Sequence, residues 1–218
     1  MEALLDMEYI KREAERKFRE MSNFFKAVLV TGARQVGKTT MLKKLADGTG
    51  RTYVSLDDIM ARELAQSDPA LFFQKYKPPV IIDEVQYAPQ LFERIKVICD
   101  SSDECGLFWL TGSQQYDMMK NVRETLAGRV GIMNLYSLSQ REKSGVFFDE
   151  PLDFSFERLC GRQDKCAPNN ISEVFEHIWR GGMPHVQQAD EEMRQEYFNS
   201  YVDTYLMRDV AEAGGVTD

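Results

Sequence analysis

The chain has 218 residues, of which 43% are hydrophobic and 28% are charged, and its formal net charge at pH 7 is −8. This composition is ordinary for a globular protein with one substantial core, and it excludes a fibrous or low-complexity chain. No apolar run approaches the length of a membrane span, and the acidic balance disfavours nonspecific binding to nucleic acid, although a local basic patch stays possible.

Targeting and metal-binding signals are weak. Residues 1–6 lack a basic segment followed by a long apolar region, so no secretory signal is predicted and the cytoplasm is the expected location. The cysteine spacings match no zinc site, and the two histidines make a metal site no more convincing, so reduced thiols are expected. These residues are Cys99, Cys105, Cys160, Cys166, His177 and His185.

The first predicted elements are a charged helix, a buried strand and a second helix. Residues 8–22 alternate charges of both signs, with Glu13 and Lys17 as a favourable i,i+4 pair, so a helix with solvated charges is expected. The apolar run at residues 27–30 predicts a buried strand, and apolar positions 41, 42 and 45 predict the helix that follows.

Between this strand and this helix lies a segment that fits the pattern G-x-x-x-x-G-K-[ST]. Backbone N–H groups of such a loop converge on one point, where the helix dipole adds partial positive charge. Gly32 and Gly37 would let the backbone turn tightly around a phosphate. Lys38 would reach the β- and γ-phosphates, and the Thr39 hydroxyl would ligate Mg²⁺. The predicted phosphate-binding residues are Gly32, Ala33, Arg34, Gln35, Val36, Gly37, Lys38, Thr39 and Thr40.

A second strand is predicted at residues 52–56, followed by two helices. Asp57 or Asp58 could cap the first of these helices. Asp68 is the predicted cap of the second, with Pro69 at its first helical position.

The third predicted strand, at residues 80–84, is a short apolar run that ends in Asp83 and Glu84. In a parallel sheet the carboxyl ends of the strands face the ligand. Asp83 would hold Mg²⁺ directly or through water, and Glu84 would orient or deprotonate an attacking water. Alone, this pattern could be a strand that ends in solvated acids, but its position after a phosphate loop favours the functional interpretation.

A helix from Pro89 and a fourth strand at residues 107–111 come next. The helix is predicted to bury Leu91, Phe92, Ile95 and Ile98. Beyond the strand, Ser113 or Gln114 could hydrogen-bond the γ-phosphate or the attacking water. Ser113 could instead cap the following helix, predicted at about residues 115–127.

Arg129 follows that helix, after the predicted C-cap Gly128 and before a fifth strand at residues 130–135. It could neutralise charge on a transferring phosphoryl group. Equally, it could bind carbonyl groups in the last turn of the helix, so both interpretations stay open.

The sequence changes character from Ser137 onward. Residues 145–170 predict a boundary or an irregular insertion, and residues 171–180 predict a helix. A last helix is predicted at residues 190–211, with an apolar stripe formed by Tyr197, Tyr201, Tyr205 and Leu206.

Strands that alternate with helices predict a parallel sheet covered on both faces. Four motifs, TGARQVGKTT at residues 31–40, IDEVQ at 82–86, LTGSQ at 110–114 and LAGR at 126–129, occur in that order. Together they resemble the prokaryotic AAA-like ATP-binding proteins that carry a C-terminal domain of unknown function. The sequences WRGGMP at 179–184 and YLMRDV at 205–210 resemble the opening of that second domain.

The resemblance implies an α/β fold of the P-loop NTPase type, a three-layer sandwich whose five-stranded parallel sheet has the order 5-1-4-3-2, followed by a small helical segment. It implies an ATPase domain over residues 1–140, with residues 1–25 as a helix leading in. An irregular connection over 141–170 and the helical start of a truncated C-terminal domain over 171–218 would follow. Members of the family are longer, so the chain is similar to an N-terminal fragment.

Site residues also carry over from the resemblance. Lys38, Thr39, Asp83 and Glu84 would be the nucleotide-binding and hydrolysis residues. Ser113 or Gln114 would be the sensor of the γ-phosphate, and Arg129 a possible arginine finger.

The expected function is Mg²⁺-dependent ATP binding and hydrolysis that drives a conformational change in an attached C-terminal domain. A nucleotide-controlled switch that recruits a protein partner with little turnover is the first alternative, and a DNA-associated accessory ATPase is the second. A phosphotransferase is disfavoured, because Glu84 beside Asp83 favours water as the nucleophile. ATP is favoured over GTP, since no NKxD guanine signal is present. The expected partners are ATP and a protein or second copy bound through the C-terminal part, without a membrane.

Overall fold

The computed structural model describes residues 9–112, 121–122, 124–148, 150, 152–166 and 168–206. Contacts divide these residues into two units. One unit runs from Arg12 to Tyr136, and the other contains the described residues up to Lys11 and those from Ser137 onward.

The unit from Arg12 to Tyr136 contains a five-stranded sheet in which every neighbouring pair is parallel. The strands are β1 (Ala27–Thr31), β2 (Thr52–Ser55), β3 (Val80–Asp83), β4 (Phe108–Thr111) and β5 (Val130–Asn134). Their order is β2-β3-β4-β1-β5. This is the predicted order read from the opposite edge, so the predicted fold class is confirmed.

Of the helices bounded within the described part of this unit, the first precedes β1 and the others lie between successive strands. These helices are α1 (Ala14–Phe24), α2 (Lys38–Ala46), α3 (Ile59–Ser67), α4 (Pro69–Lys75) and α5 (Leu91–Asp100), and a 3₁₀ turn spans Val85–Tyr87. Asp58 caps α3 by accepting a 3.0 Å bond from the backbone N–H of Met60. Asp68 caps α4 by accepting a 2.9 Å bond from the N–H of Leu71, with Pro69 in the first turn as predicted.

The core lies on both sides of the central strands. Every residue of β1, β3 and β4 is buried, as expected for parallel strands between helical layers. On α5 the buried residues are Leu91, Phe92, Ile95 and Cys99, whereas Ile98 is only partly buried. The predicted burial of Ile98 is therefore only partial. The fully buried residue in the last turn is Cys99, because the buried stripe continues at i+4 from Ile95.

The second unit is helical. Its helices are α6 (Gln140–Lys143), α7 (Phe156–Gln163), α8 (Ile171–Arg180) and α9 (Glu191–Tyr201), and a π-helical turn continues α9 over Val202–Leu206. Capping boxes begin α6, through Ser139 and Glu142, and α8, through Asn170 and Glu173.

Two expectations for this unit need comment. The stretch predicted to be irregular contains α7, in which Phe156, Leu159 and Cys160 have the i, i+3, i+4 spacing of a helix. The predicted last helix begins as expected, and the rings of Tyr197 and Tyr201 stack with centroids 6.2 Å apart. Its predicted end lies outside the described residues. Within the described part of the chain, every helix is too short or too polar to span a bilayer.

Candidate nucleotide-binding site

The loop between β1 and α2 has a backbone that requires glycine. Gly32 has φ +142° and Gly37 has φ +94°, a region that residues with a Cβ rarely adopt. A Cβ on Gly32 would lie 2.1 Å from the carbonyl oxygen of Leu135. The N–H of Leu135 donates to the carbonyl of Thr31 over 2.8 Å. The segment after β5 therefore fixes the start of the loop.

Lys38, at the first position of α2, is buried against the loop. Its Nζ donates to the carbonyl oxygens of Gly32, at 2.9 Å, and Ala33, at 2.8 Å. Desolvation lowers the pKa of Lys38, while the negative charges of Glu84 and Asp83 act in the opposite direction. The ammonium group is therefore within the field of both acidic residues at the end of β3.

The Asp83 carboxylate accepts hydrogen bonds from three hydroxyl groups. Oδ1 accepts from Thr39 Oγ1, at 2.6 Å, and from Thr111 Oγ1. Oδ2 accepts from the hydroxyl of Tyr53, at 3.1 Å, whose pKa is raised to about 12 by burial and by the neighbouring Asp83 charge. The structure thus brings together Thr39 and Asp83, the two predicted Mg²⁺ ligands.

Glu84 occupies an unusual backbone conformation directly after β3. Its φ of 57° and ψ of 47° lie in the left-handed region, which non-glycine residues adopt uncommonly and often at functional sites. Its N–H donates to Thr111 Oγ1 over 3.1 Å. Its Oε2 accepts a hydrogen bond from Gln86 Nε2. The carboxylate is half-buried beside the loop.

Oxygen donors at this edge of the sheet fit Mg²⁺. Mg²⁺ is held in proteins by one or two carboxylate or hydroxyl oxygens, and it shares its remaining positions with water and phosphate oxygens. The Thr39 hydroxyl and the Asp83 carboxylate are such oxygens, and both lie next to the N-terminus of α2. A phosphate held by the loop would lie beside them.

Four residues of the site were not assigned a role of their own from the sequence, namely Arg12, Tyr53, Gln86 and Thr111. The strand register explains the position of Thr111. Ile82 pairs with Leu110, so Asp83 and Thr111, which come next on their strands, are neighbours. The buried guanidinium of Arg12 donates to the carbonyl of Val36, in the loop, over 2.7 Å and to that of Tyr136 over 2.6 Å. Nothing in the charged run around Arg12 distinguishes it from the exposed residues.

Three predicted site residues remain, namely Ser113, Gln114 and Arg129. Ser113 and Gln114 lie outside the described residues. Arg129 precedes β5, whose first residue pairs with Ala27 at the start of β1. Arg129 therefore lies about 20 Å from the loop, measured along the strands. Its guanidinium binds Asp100, through a 2.5 Å contact from Nε, and the carbonyl of Ala127, at 3.0 Å. The bond to the Ala127 carbonyl agrees with the interpretation in which Arg129 binds the end of the preceding helix. This geometry does not place Arg129 at the loop of the same chain.

Two models of known protein families match parts of this chain. A family model described as an AAA domain matches residues 24–144. The chain belongs to this AAA-domain family. A second model, described as a domain of unknown function, matches residues 171–218. The predicted family resemblance is confirmed by these two matches.

Two curated relatives of this AAA-domain protein are named as uncharacterized proteins. Proteins of Mycobacterium bovis and Mycobacterium tuberculosis are each 28% identical over 207 residues, which are 94% of this chain and 40% of each relative. The chain thus spans two fifths of the curated relatives it matches. Among solved structures, a Walker-type ATPase of Pyrococcus abyssi has a TM-score of 0.55 at 17% identity, over 94% of this chain and 75% of that chain. That likeness shows the fold alone.

Proposed function

We propose that the AAA domain binds ATP with Mg²⁺ in the loop between β1 and α2 and hydrolyses it. The observation that carries the proposal is the 2.6 Å bond between Thr39 and Asp83. These residues come from separate segments and meet at the carboxyl edge of a parallel sheet, where such folds bind ligands. The family match and the fold of P-loop ATPases support the same chemistry.

Each residue has a role in this proposal. The loop amides and the N-terminus of α2 hold the phosphates, and Lys38 exchanges its bonds to the loop carbonyls for bonds to phosphate oxygens. Thr39 and Asp83 would hold Mg²⁺, which supplies charge neutralisation at the transferring phosphoryl group. Glu84 orients the attacking water and accepts its proton. Thr111 keeps both acidic residues in place, since its hydroxyl binds Asp83 and the Glu84 N–H.

We further propose that turnover drives a conformational change in the region after the AAA domain. Support comes from the separate domain model that matches residues 171–218 and from the greater length of the relatives. A nucleotide-controlled switch with little turnover would use the same residues. The steady-state rate of ATP hydrolysis separates the two functions.

The test compares three variants with the wild type by titration with ATP and Mg²⁺ and by steady-state hydrolysis. Lys38→Ala is expected to lose ATP binding. Glu84→Gln is expected to bind ATP normally and to hydrolyse it about 10²–10⁴-fold more slowly, since it lacks a general base. Lys44→Ala is the matched control, because Lys44 lies on the same helix but is exposed and pairs with Asp47. Equal ATP affinity in wild type and Lys38→Ala would contradict the proposal.

A further inference from the structure

The backbone around Glu84 is held on both sides, whereas its side chain is long and rotatable. The N–H of Glu84 is bonded to Thr111, and its carbonyl accepts a 3.1 Å bond from the N–H of Tyr87. Val85, the next residue, is completely buried. These contacts fix where the side chain starts. They leave three side-chain torsions, each with several favourable values, to decide where the carboxylate ends.

Gln86 supplies the contact that restrains the carboxylate. It lies two residues further along the same 3₁₀ turn, and its Nε2 donates to Glu84 Oε2. The Oε1 atom of Gln86 is buried and has no hydrogen-bond partner among the described residues. An amide turned the other way would direct this oxygen at a carboxylate, so that two acceptors would face each other. The Glu84 charge therefore sets the orientation of the amide.

Among the described residues, the side-chain amide of Gln86 makes its hydrogen bond to Glu84. The bond therefore acts on Glu84, whose charge reaches the Lys38 ammonium. That charge is the largest of those that raise the pKa of Lys38, ahead of that of Asp83.

We infer that Gln86 is a positioning residue for Glu84, and that its amide N–H holds the carboxylate on the side of the turn that faces Lys38 and the phosphate loop. The inference rests on the proposed hydrolysis, in which Glu84 meets the attacking water at this place. Without the N–H, the carboxylate samples rotamers that point away from the water. The chemical step then slows, while ATP binding, which uses the loop and the Mg²⁺ ligands, is unchanged.

The test is the variant Gln86→Met, which keeps the length of the side chain and removes the donor. Misplacement of a reacting group by about 1 Å can cost about 10²-fold in rate, so kcat is expected to fall by up to about that factor. KM and ATP affinity are expected to stay within about twofold of wild type. Because Gln86 acts through Glu84, the double variant Glu84→Gln/Gln86→Met is expected to be no slower than Glu84→Gln alone.

Gln66→Met is the matched control. Gln66 Nε2 donates to the carbonyl of Tyr87 over 2.6 Å, so it binds the same 3₁₀ turn without touching Glu84. Its kcat is expected to equal that of the wild type. If thermal unfolding shows that Gln86→Met is not folded, Gln86→Glu is used instead. Glutamate has nearly the same shape as glutamine and replaces the amide donor with a carboxylate oxygen.

The outcomes separate the inference from the proposed function. The inference is overturned if wild type hydrolyses ATP, Glu84→Gln does not, and Gln86→Met keeps the wild-type kcat. It is also overturned if Gln86→Met and Gln66→Met slow the reaction equally, or if the Gln86 effect persists in full on the Glu84→Gln background. A wild-type chain that binds ATP without turnover overturns the proposed hydrolysis itself, and the inference with it.

Discussion

At the scale of single residues, Asp83 joins three elements through its two carboxylate oxygens. Thr39 comes from the helix after the loop, Thr111 from the neighbouring strand and Tyr53 from the edge strand. A carboxylate that accepts hydrogen bonds from three separate groups is held in one rotamer. The predicted metal ligand is therefore oriented by protein groups alone, before any ligand binds.

Arg12 is the second residue on which the loop depends. In Arg12→Met the carbonyls of Val36 and Tyr136 lose their charged donors, so the free energy of unfolding is expected to fall by about 2–3 kcal/mol. ATP affinity is expected to fall as well, because Val36 is part of the loop. Urea denaturation and ATP titration measure the two effects.

Arg16→Met is the control for this substitution. Arg16 lies on α1, is exposed and pairs with Glu20 over 2.9 Å, and exposed pairs contribute little to stability. If Arg12→Met and Arg16→Met unfold at the same urea concentration, the loop does not depend on Arg12.

Site residues that belong to a local sequence motif could be predicted from the sequence. Site residues that reach the site only through strand pairing or tertiary contacts could not. Gly32, Lys38 and Asp83 stand in a recognisable spacing after apolar runs. Tyr53 reaches Asp83 only because β2 pairs with β3, which no local pattern reveals. Arg12 lies in a run of charges whose other members are mostly exposed, so only the tertiary contact distinguishes it.

At the scale of elements, the helix caps were predicted correctly where side chain and position agree. Asp68 illustrates this, because it precedes a proline at the first helical position and accepts the N–H of Leu71. The direction of the strands also determines where Arg129 lies. In a parallel sheet, residues that precede a strand lie at the amino ends of the strands, and residues that follow a strand lie at the carboxyl ends. Arg129 precedes β5 and the loop follows β1, so the length of a strand separates them.

The cap of α4 gives a prediction at this scale. Asp68→Ala is expected to lower the free energy of unfolding by about 1 kcal/mol, because the N–H of Leu71 loses its partner. The helix carries the buried Phe72 and Phe73, so fraying at its start reaches the core. Denaturant unfolding of Asp68→Ala against Asp103→Ala, an exposed loop aspartate, measures the effect. Identical midpoints would show that the cap does not stabilise the helix.

At the scale of the whole molecule, burial is unevenly distributed between elements. Every residue of β1, β3 and β4 is buried. By contrast, α7 and α8, which lie wholly within the described residues, contain no buried residue. Large apolar side chains on α8 are exposed, including Phe175, Ile178 and Trp179. Local stability follows the number of buried apolar contacts, so the two groups of elements are expected to open at different free energies.

Native-state hydrogen exchange measures this difference. The amides of α7 and α8 are expected to exchange orders of magnitude faster than those of β1, β3 and β4, because they open without disrupting a buried core. Mass spectrometry of peptides from each segment gives both rates in one sample. Equal protection of α8 and β1 would contradict the expectation and would indicate that α8 is covered in solution.

The two hydrogen bonds that Lys38 makes to Gly32 and Ala33 have a consequence for selectivity. The carbonyl oxygens of the loop compete with an incoming anion for the Lys38 ammonium, so an anion must replace these hydrogen bonds in order to bind Lys38. A small anion that offers one interaction gains little by displacing them. In the proposed binding mode a polyphosphate would gain more, because it would also contact the loop amides and, through a shared cation, the oxygens of Thr39 and Asp83. The hydrogen bonds from Lys38 to Gly32 and Ala33 are therefore expected to favour binding of highly charged phosphate ligands over small anions.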